Sequence, residues 1–171
     1  MDNPTYNPKE VLFMREELTA VGFTEVFTIE EVDKYIANKK DETVLVAVNS
    51  VCGCSAGCAR PGVGAALQND KIPDHSITLL AGQEKTAINH IRDTYLSDYN
   101  PSSPNMILFK NGKILKFFER IHIQELTAET LADQLVDTFN EHCTKTGPSV
   151  PKEEYDKLSF TITCGSKISR V

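Results

Sequence analysis

The sequence predicts an α/β domain with a mixed central sheet and helices on both of its faces. Segments of strand character alternate with segments of helical periodicity, which favours a largely parallel sheet. The run Thr43–Asn49 is apolar through its centre without alternation, as central parallel strands are because both of their faces are buried. Asn111-Gly112, set between two apolar runs, is a strong hairpin signal and adds antiparallel strands at the end of the sheet.

An extra helix is predicted near the N-terminus. Asn7 serves as its N-cap, Pro8 takes its first position and Gly22 ends it. Its apolar residues recur at helical spacing: Val11, Leu12, Met14, Leu18 and Val21.

The remaining elements follow in regular order. A short strand is predicted over residues 23–27, and Thr28 opens a capping box for a helix over 30–38. After the run Thr43–Asn49 comes a helix that Pro61 must kink or restart. The later predictions are a strand over 76–81, a helix over 83–96, strands over 105–109 and 113–120, and a last helix capped by Thr127.

Composition narrows the classes of function. The chain has 171 residues, 40% of them hydrophobic, and a net charge of −6. This acidic balance argues against nucleic acid or an anionic membrane as a partner. We expect one domain over residues 1–143 and a C-terminal extension over 144–171.

The sequence also points to a cytoplasmic setting. Residues 1–6 show neither a basic stretch nor an apolar core, so no signal peptide is predicted. No apolar run approaches the length of a membrane span. Five cysteines are an odd number for a secreted disulfide framework, and the cytosol keeps thiols reduced unless they do chemistry.

Two of these cysteines, Cys52 and Cys54, stand where the run Thr43–Asn49 gives way to small residues of helical character. Thiols at such a junction lie at a helix N-terminus, where unpaired N–H groups and the helix dipole stabilise an anion. The pKa of Cys52 is therefore expected below the value of about 8.5 for a free cysteine. A thiolate attacks disulfides, so the motif predicts a thiol–disulfide oxidoreductase.

The order of elements, with thiols after the second strand, is the thioredoxin arrangement. Residues 104–113 are similar to the strand of thioredoxin-like proteins that begins with a cis-proline and runs into a hairpin. Four more segments stand in order along the chain: residues 48–54 (VNSVCGC), 59–61 (ARP), 80–83 (LAGQ) and 101–104 (PSSP). Together they resemble the bacilliredoxin family, whose members are small cytosolic proteins that remove bacillithiol from mixed disulfides. The resemblance covers about residues 7–143.

The resemblance implies a role for each matched residue. Cys52 is the attacking thiol and Cys54 the second thiol, while Ser103 and Pro104 form the opposite wall of the substrate site. The Ser103–Pro104 peptide bond is accordingly expected to be cis. Bacillithiol or a similar small thiol is implied as co-substrate, with no cofactor or metal, and the partners are client proteins that carry this thiol.

The chain departs from the family in three places. Cys58 stands where a small or aliphatic residue is expected, and we predict that it packs in the core. The histidine of residues 119–124 is displaced and receives no role. The tail has no family counterpart; within it, Cys164 either folds back as an extra resolving thiol or packs elsewhere.

Other functions remain open at this stage. A general protein disulfide reductase or isomerase would use the same thiols. A non-catalytic protein could hold a metal through Cys52, Cys54 and Cys58, but structural zinc needs four ligands and no second pair is evident. Cys143, at the end of an amphipathic helix, is predicted to be buried.

Overall fold

The structure, a computed structural model, describes residues 2–161 and 168–171. The elements along these residues are α1 (Leu12–Thr19), β1 (Thr24–Glu25), α2 (Ile29–Ile36), β2 (Thr43–Asn49), a π-helical turn (Ser55–Ala59), α3 (Arg60–Ala66), β3 (Lys71–Ile72), β4 (His75–Leu80), α4 (Lys85–Thr94), β5 (Asn105–Lys110), β6 (Lys113–Phe118), α5 (Arg120–Ile123), α6 (Ala128–His142), β7 (Lys145–Thr146) and α7 (Lys152–Tyr155).

The central sheet is mixed, as the sequence predicts. Its strand order is β1-β4-β2-β5-β6, in which β1, β4 and β2 are parallel and β5 and β6 run antiparallel to their neighbours. Strand β2 lies at the centre and every one of its residues is buried. Its carboxyl end therefore meets the carboxyl end of β4 and the start of β5 at one edge of the sheet.

Helices cover both faces of this sheet. One face packs against α3 and α6 in a core that includes Leu45 and Ala47 of β2. The other face packs against α2 and α4 in a core that includes Val44, Val46 and Val48. Because successive side chains of a strand point to opposite faces, the unbroken apolar run of β2 fills both cores.

Two local predictions, the start of α2 and the turn between β5 and β6, are confirmed. Thr28 accepts the N–H of Glu31, whose carboxylate accepts the N–H of Thr28 in return, and this capping box begins α2. Asn111 and Gly112 both have positive φ, at 52° and 72°, as the turn between β5 and β6 requires.

The predicted start of the first helix is wrong. Helix α1 begins at Leu12, because residues 7–10 form a turn instead. The Asn7 carboxamide oxygen accepts the N–H of Lys9 at 3.1 Å, and the Asn7 carbonyl accepts the N–H of Glu10 at 3.1 Å. Asn7 therefore closes a turn of its own and does not cap the helix. Leu12, predicted on the apolar face, is 50% exposed.

The tail after residue 143 packs on the domain. Strand β7 pairs antiparallel with β3, and the Ser149 hydroxyl donates to the carbonyl of Val21 at 2.6 Å. Phe160 lies against Gly64, where a Cβ would come within 2.8 Å of the Phe160 ring. Arg170 forms an antiparallel bridge with Tyr6. Cys164 lies outside the described residues.

Candidate redox site

Cys52 and Cys54 lie at the helix N-terminus that the sequence predicts. The Cys52 carbonyl accepts the N–H groups of Ser55 at 3.1 Å and Ala56 at 3.2 Å, so Cys52 is the residue from which the helix begins. The helix runs through the π-helical turn Ser55–Ala59 into α3, and the hydrogen-bonding pattern changes just before Pro61, which lacks an N–H. Both cysteines are partly exposed and Gly53 between them is exposed.

The two thiols are in direct contact, with their Sγ atoms 2.7 Å apart. Partial burial of Cys52 opposes ionisation. Hydrogen bonds from Cys54, from the Ser50 hydroxyl and from the Ser55 N–H outweigh it, and they lower the pKa of Cys52. Burial, together with the hydrogen bond and charge of Cys52, raises the pKa of Cys54 to about 11. Of the two thiols, Cys52 therefore ionises first, and Cys54 keeps its proton to higher pH.

The other described cysteines have a different environment. Cys58 is 5% exposed and Cys143 is 2% exposed, and both belong to the core between the sheet and α6. Burial raises the pKa of each thiol to about 11. The prediction that Cys58 packs in the core is confirmed, as is the burial of Cys143.

Ser103 and Pro104 lie at the same edge of the sheet as the cysteines. Asn105, the first residue of β5, pairs with Val48 near the end of β2. The segment before β5 therefore lies beside the segment after β2, which leads to Cys52. The Ser103–Pro104 peptide bond is cis, as expected.

The loop that carries Ser103 is held by two neighbours. The Asn105 side chain donates to the Ser102 carbonyl at 2.9 Å and accepts from the Ser102 hydroxyl at 3.0 Å. Arg92 donates to the same carbonyl at 3.4 Å. Ser103 itself remains partly exposed beside the buried Pro104.

Arg120 is a site residue that the sequence alone does not reveal. Phe118 ends β6 opposite Met106 near the start of β5, so the residues after it reach the edge where the cysteines lie. The positive charge of Arg120 acts on Cys52 and Cys54 and favours the thiolate form of both. Only the pairing of β5 with β6 brings this residue to the site, and no local pattern signals it.

A buried polar network under the cysteines is also a feature that was not predicted from the sequence. Arg60 is fully buried and pairs with Glu17 of α1, with 2.6 Å between Nε and Oε2. Asn49, at the end of β2, donates to the Met14 carbonyl at 2.9 Å and accepts from the Ser55 hydroxyl at 2.9 Å. One signal in the sequence could have pointed to this network: Arg60 is a single charged residue within a helix of small residues. A charged residue that is buried in such a helix needs a partner.

Two properties of the whole chain bear on rival functions. Across residues 2–161 and 168–171, no group of three His, Cys, Asp or Glu side chains is placed to hold a metal ion. Within the same residues, none of the helices has the length and apolar character that a membrane span requires.

Comparison with known proteins gives a consistent family. The family model described as disulphide isomerase matches residues 6–143. A bacilliredoxin of Salinibacter ruber is 42% identical over 152 residues, which are 89% of this chain and 88% of that protein. A bacilliredoxin of Halalkalibacterium halodurans is 47% identical over 130 residues, 76% of this chain and 89% of that protein.

A third relative and a solved structure agree with this result. A bacilliredoxin of Shouchella clausii is 45% identical over 140 residues, 82% of this chain and 95% of that protein. A solved protein with a thioredoxin fold superposes with a TM-score of 0.51 at 19% identity, covering 68% of this chain and 95% of the other, and supports the fold. The chain therefore belongs to the bacilliredoxin family and is a thiol–disulfide oxidoreductase with a thioredoxin-like fold.

Proposed function

We propose that this protein removes a low-molecular-weight thiol, bacillithiol or a close chemical relative, from mixed disulfides on oxidised cytoplasmic proteins. The observation that carries the proposal is the contact between Cys52, whose pKa is lowered, and Cys54, whose pKa is raised to about 11. Such a pair has one sulfur that ionises first and attacks, and it holds a second sulfur in reserve. The names of the relatives support the small thiol as substrate.

The first step is a thiol–disulfide exchange at Cys52. Its thiolate attacks the sulfur of the small thiol in the client's mixed disulfide, and a new disulfide forms between Cys52 and the small thiol. The bond to the client sulfur breaks, and the client leaves as a thiolate that takes a proton from water. The client is reduced and the small thiol remains on Cys52. The cis-Pro104 loop, with Ser103 accessible beside it, is the proposed wall against which the client chain lies.

The second step follows from the charge change in the first. Once Cys52 is bonded to the small thiol it is no longer an anion, so its hydrogen bond and its charge no longer raise the pKa of Cys54. The positive charge of Arg120 remains and favours ionisation of Cys54. Cys54 therefore becomes a better nucleophile only after the adduct exists. It then attacks Cys52 and releases the small thiol, or a second small-thiol molecule attacks the adduct instead.

The single residue between the two cysteines does not keep their sulfurs apart. Two residues of extended chain would span about 6.6–7.2 Å between Cα atoms, at the upper limit of about 6.8 Å for a disulfide. Here the chain turns at Cys52, and the two Sγ atoms lie 2.7 Å apart. Release by Cys54 and release by a second small-thiol molecule are therefore both proposed, with no cofactor beyond the small-thiol co-substrate.

A second candidate function is general disulfide reduction or isomerisation. It is favoured by one observation, the description of the matching family model as disulphide isomerase. Its substrate would be a disulfide within a client protein, and Cys52 would then form a mixed disulfide with the client chain itself.

One experiment separates the two candidates. The Cys54→Ala protein is incubated with a model client that carries bacillithiol as a mixed disulfide and, in parallel, with a client that contains a scrambled disulfide. Mass spectrometry of the Cys52 peptide is expected to show the mass of bacillithiol in the first sample. An adduct with the client chain in both samples would instead support isomerase activity, and no adduct in either would remove the proposed function. Cys52→Ser is the matched control.

A further inference from the structure

The buried arginine under the redox site has no role in the exchange steps above. The Arg60 side chain is 0% exposed, and its ion pair with Glu17 is almost fully buried. Burying two charges in this way costs desolvation energy, so such pairs are weak sources of stability compared with well-packed apolar residues. A residue of this kind is better explained by the groups that it orients.

Those groups bracket the attacking cysteine. Arg60 Nη1 donates to the Ser50 carbonyl at 3.0 Å and to the Ser55 hydroxyl at 3.2 Å, and Asn49 Oδ1 lies at 3.3 Å. Ser50 precedes Cys52 by two residues and Ser55 follows it by three. The guanidinium therefore joins the two ends of the turn that presents Cys52.

Glu17 sets the direction of the guanidinium. Its Oε2 accepts from Arg60 Nε at 2.6 Å, and because the guanidinium is planar and rigid this contact aims Nη1 at the turn. The other oxygen, Oε1, accepts the N–H of Thr161 at 2.6 Å. Thr161 belongs to the tail, beyond residue 143 where the family match ends, so the tail completes the surroundings of this pair.

The same turn provides the donors that stabilise the thiolate. The Ser50 hydroxyl and the Ser55 N–H are two of the groups that lower the pKa of Cys52. Ser50 Oγ also accepts the N–H of Cys52, at 3.4 Å. If Ser50 and Ser55 move, these donors lose their aim at the sulfur and the thiolate loses stabilisation.

We propose that Arg60 and Glu17 are positioning residues of the redox site, which hold Ser50 and Ser55 in place around the Cys52 sulfur. This inference rests on the proposed role of Cys52 as the attacking thiol. Neither residue touches the substrate; they act through the turn. The proposed role depends on the planar shape of the guanidinium and not on its charge alone. The substitution Arg60→Lys separates the two, since it keeps the positive charge and removes the planar fork.

The test measures alkylation of Cys52 by iodoacetamide against pH, with the Cys52 peptide quantified by mass spectrometry. In Arg60→Lys the midpoint is expected to rise, and wherever it lies above neutral pH each further unit of rise lowers the rate at neutral pH about tenfold. The limiting rate at high pH should be unchanged. Ser55→Ala removes one held hydroxyl with little change of shape and should shift the midpoint in the same direction by less. It decides the matter if Arg60→Lys fails to fold.

Arg15→Lys is the matched control. Arg15 is a second partly buried arginine, paired with Glu25 and Glu84, and none of its ion pairs or hydrogen bonds reaches residues 50–55. The midpoint of Cys52 alkylation in Arg15→Lys should equal that of the unchanged protein. A wild-type midpoint in both Arg60→Lys and Ser55→Ala would overturn the inference, and so would a smaller reactive fraction with no shift of midpoint. If Cys52 of the unchanged protein already titrates like a free cysteine, the proposed function fails first.

Discussion

The two ends of strand β2 each lie beside a cysteine, and the two thiols differ in chemistry. Beyond the carboxyl end, after Asn49, Cys52 is half-buried among hydrogen-bond donors, and its pKa is lowered. At the other end, Cys143 is buried beside Thr43, and burial with the negative charge of Asp74 raises its pKa to about 11. Both sites offer a hydroxyl to the sulfur, so the hydroxyl is not what distinguishes them.

The difference lies in charge and in the helix terminus. Cys52 begins a helix and faces backbone N–H groups, whereas Cys143 ends α6, where carbonyl groups face outward. Arg120 favours the thiolate at Cys52, while a carboxylate opposes it at Cys143. A cysteine thus becomes reactive through its place relative to a helix end and to fixed charges, and partial exposure lets a substrate reach it.

The largest expected effect comes from removing each thiol in turn. Cys52→Ser should reduce release of the client thiol to the uncatalysed background, because the replacement hydroxyl is not ionised at neutral pH. Cys143→Ala should keep the activity, since that thiol is buried and protonated. Release is followed with a thiol-reactive dye on a client that carries a mixed disulfide. Equal activity in the two variants would break the comparison.

The next effect concerns the donor thiol. Cys54→Ala removes the hydrogen bond that is the largest favourable influence on the Cys52 thiolate, so the pKa of Cys52 should rise. Wherever this pKa lies above 7, attack at pH 7 should slow about tenfold for each further unit of rise. The first turnover should still occur, but Cys52 should accumulate joined to the small thiol. Stopped-flow kinetics and intact mass report the two outcomes, and multiple fast turnovers would show that Cys54 has no part in release.

A smaller effect is expected from Arg120, which is exposed. Arg120→Gln should raise the pKa of Cys52 and slow its alkylation at neutral pH about two- to fivefold, the range of an exposed charge interaction worth at most about 1 kcal/mol. Because salt screens such an interaction, the gap between variant and unchanged protein should narrow at high ionic strength. A gap that is independent of salt would point to a structural effect of the substitution.

The smallest effect on the thiol is expected from the tail. Phe160→Ala removes the ring that lies on Gly64 and loosens the neighbouring Thr161 contact with Glu17. Stability should fall by less than the ~3–5 kcal/mol of a fully buried phenylalanine, and the Cys52 midpoint should rise slightly. Phe27→Ala, at a half-exposed ring, is the control in denaturant unfolding and in alkylation. If Phe160→Ala lowers stability but leaves the alkylation midpoint of Cys52 unchanged, the tail has no influence on the redox site.

Much of the fold follows from local patterns in the sequence. The apolar run predicts β2 with its observed ends, Thr28 predicts the start of α2, and Asn111 predicts the hairpin turn. These signals work because each satisfies backbone groups within a few residues of itself. Asn7 misled the prediction because the same side chain suits a helix cap and an isolated turn.

The features that could not be predicted from the sequence depend on contacts between residues far apart in the chain. Arg60 meets Glu17 across 43 positions, and Thr161 reaches Glu17 across 144. Strand β3 pairs with β7 of the tail. The positions of Cys52 and Cys54 could be predicted, since they follow a strand directly, but the network that holds them could not.

The central claim is that the surroundings of Cys52 lower its pKa, so that it ionises before Cys54, Cys58 and Cys143. Alkylation of the folded protein across a pH series, with Cys52, Cys54, Cys58 and Cys143 quantified separately by peptide mass spectrometry, tests it directly. Because the thiolate is the form that is alkylated, the rate of alkylation of each cysteine rises with pH until the pH passes the pKa of that cysteine. Cys52 is expected to titrate first, below about 8.5, and the other three only toward about pH 11. A midpoint for Cys52 at or above that of a free cysteine, or a Cys143 that titrates before it, would contradict the account.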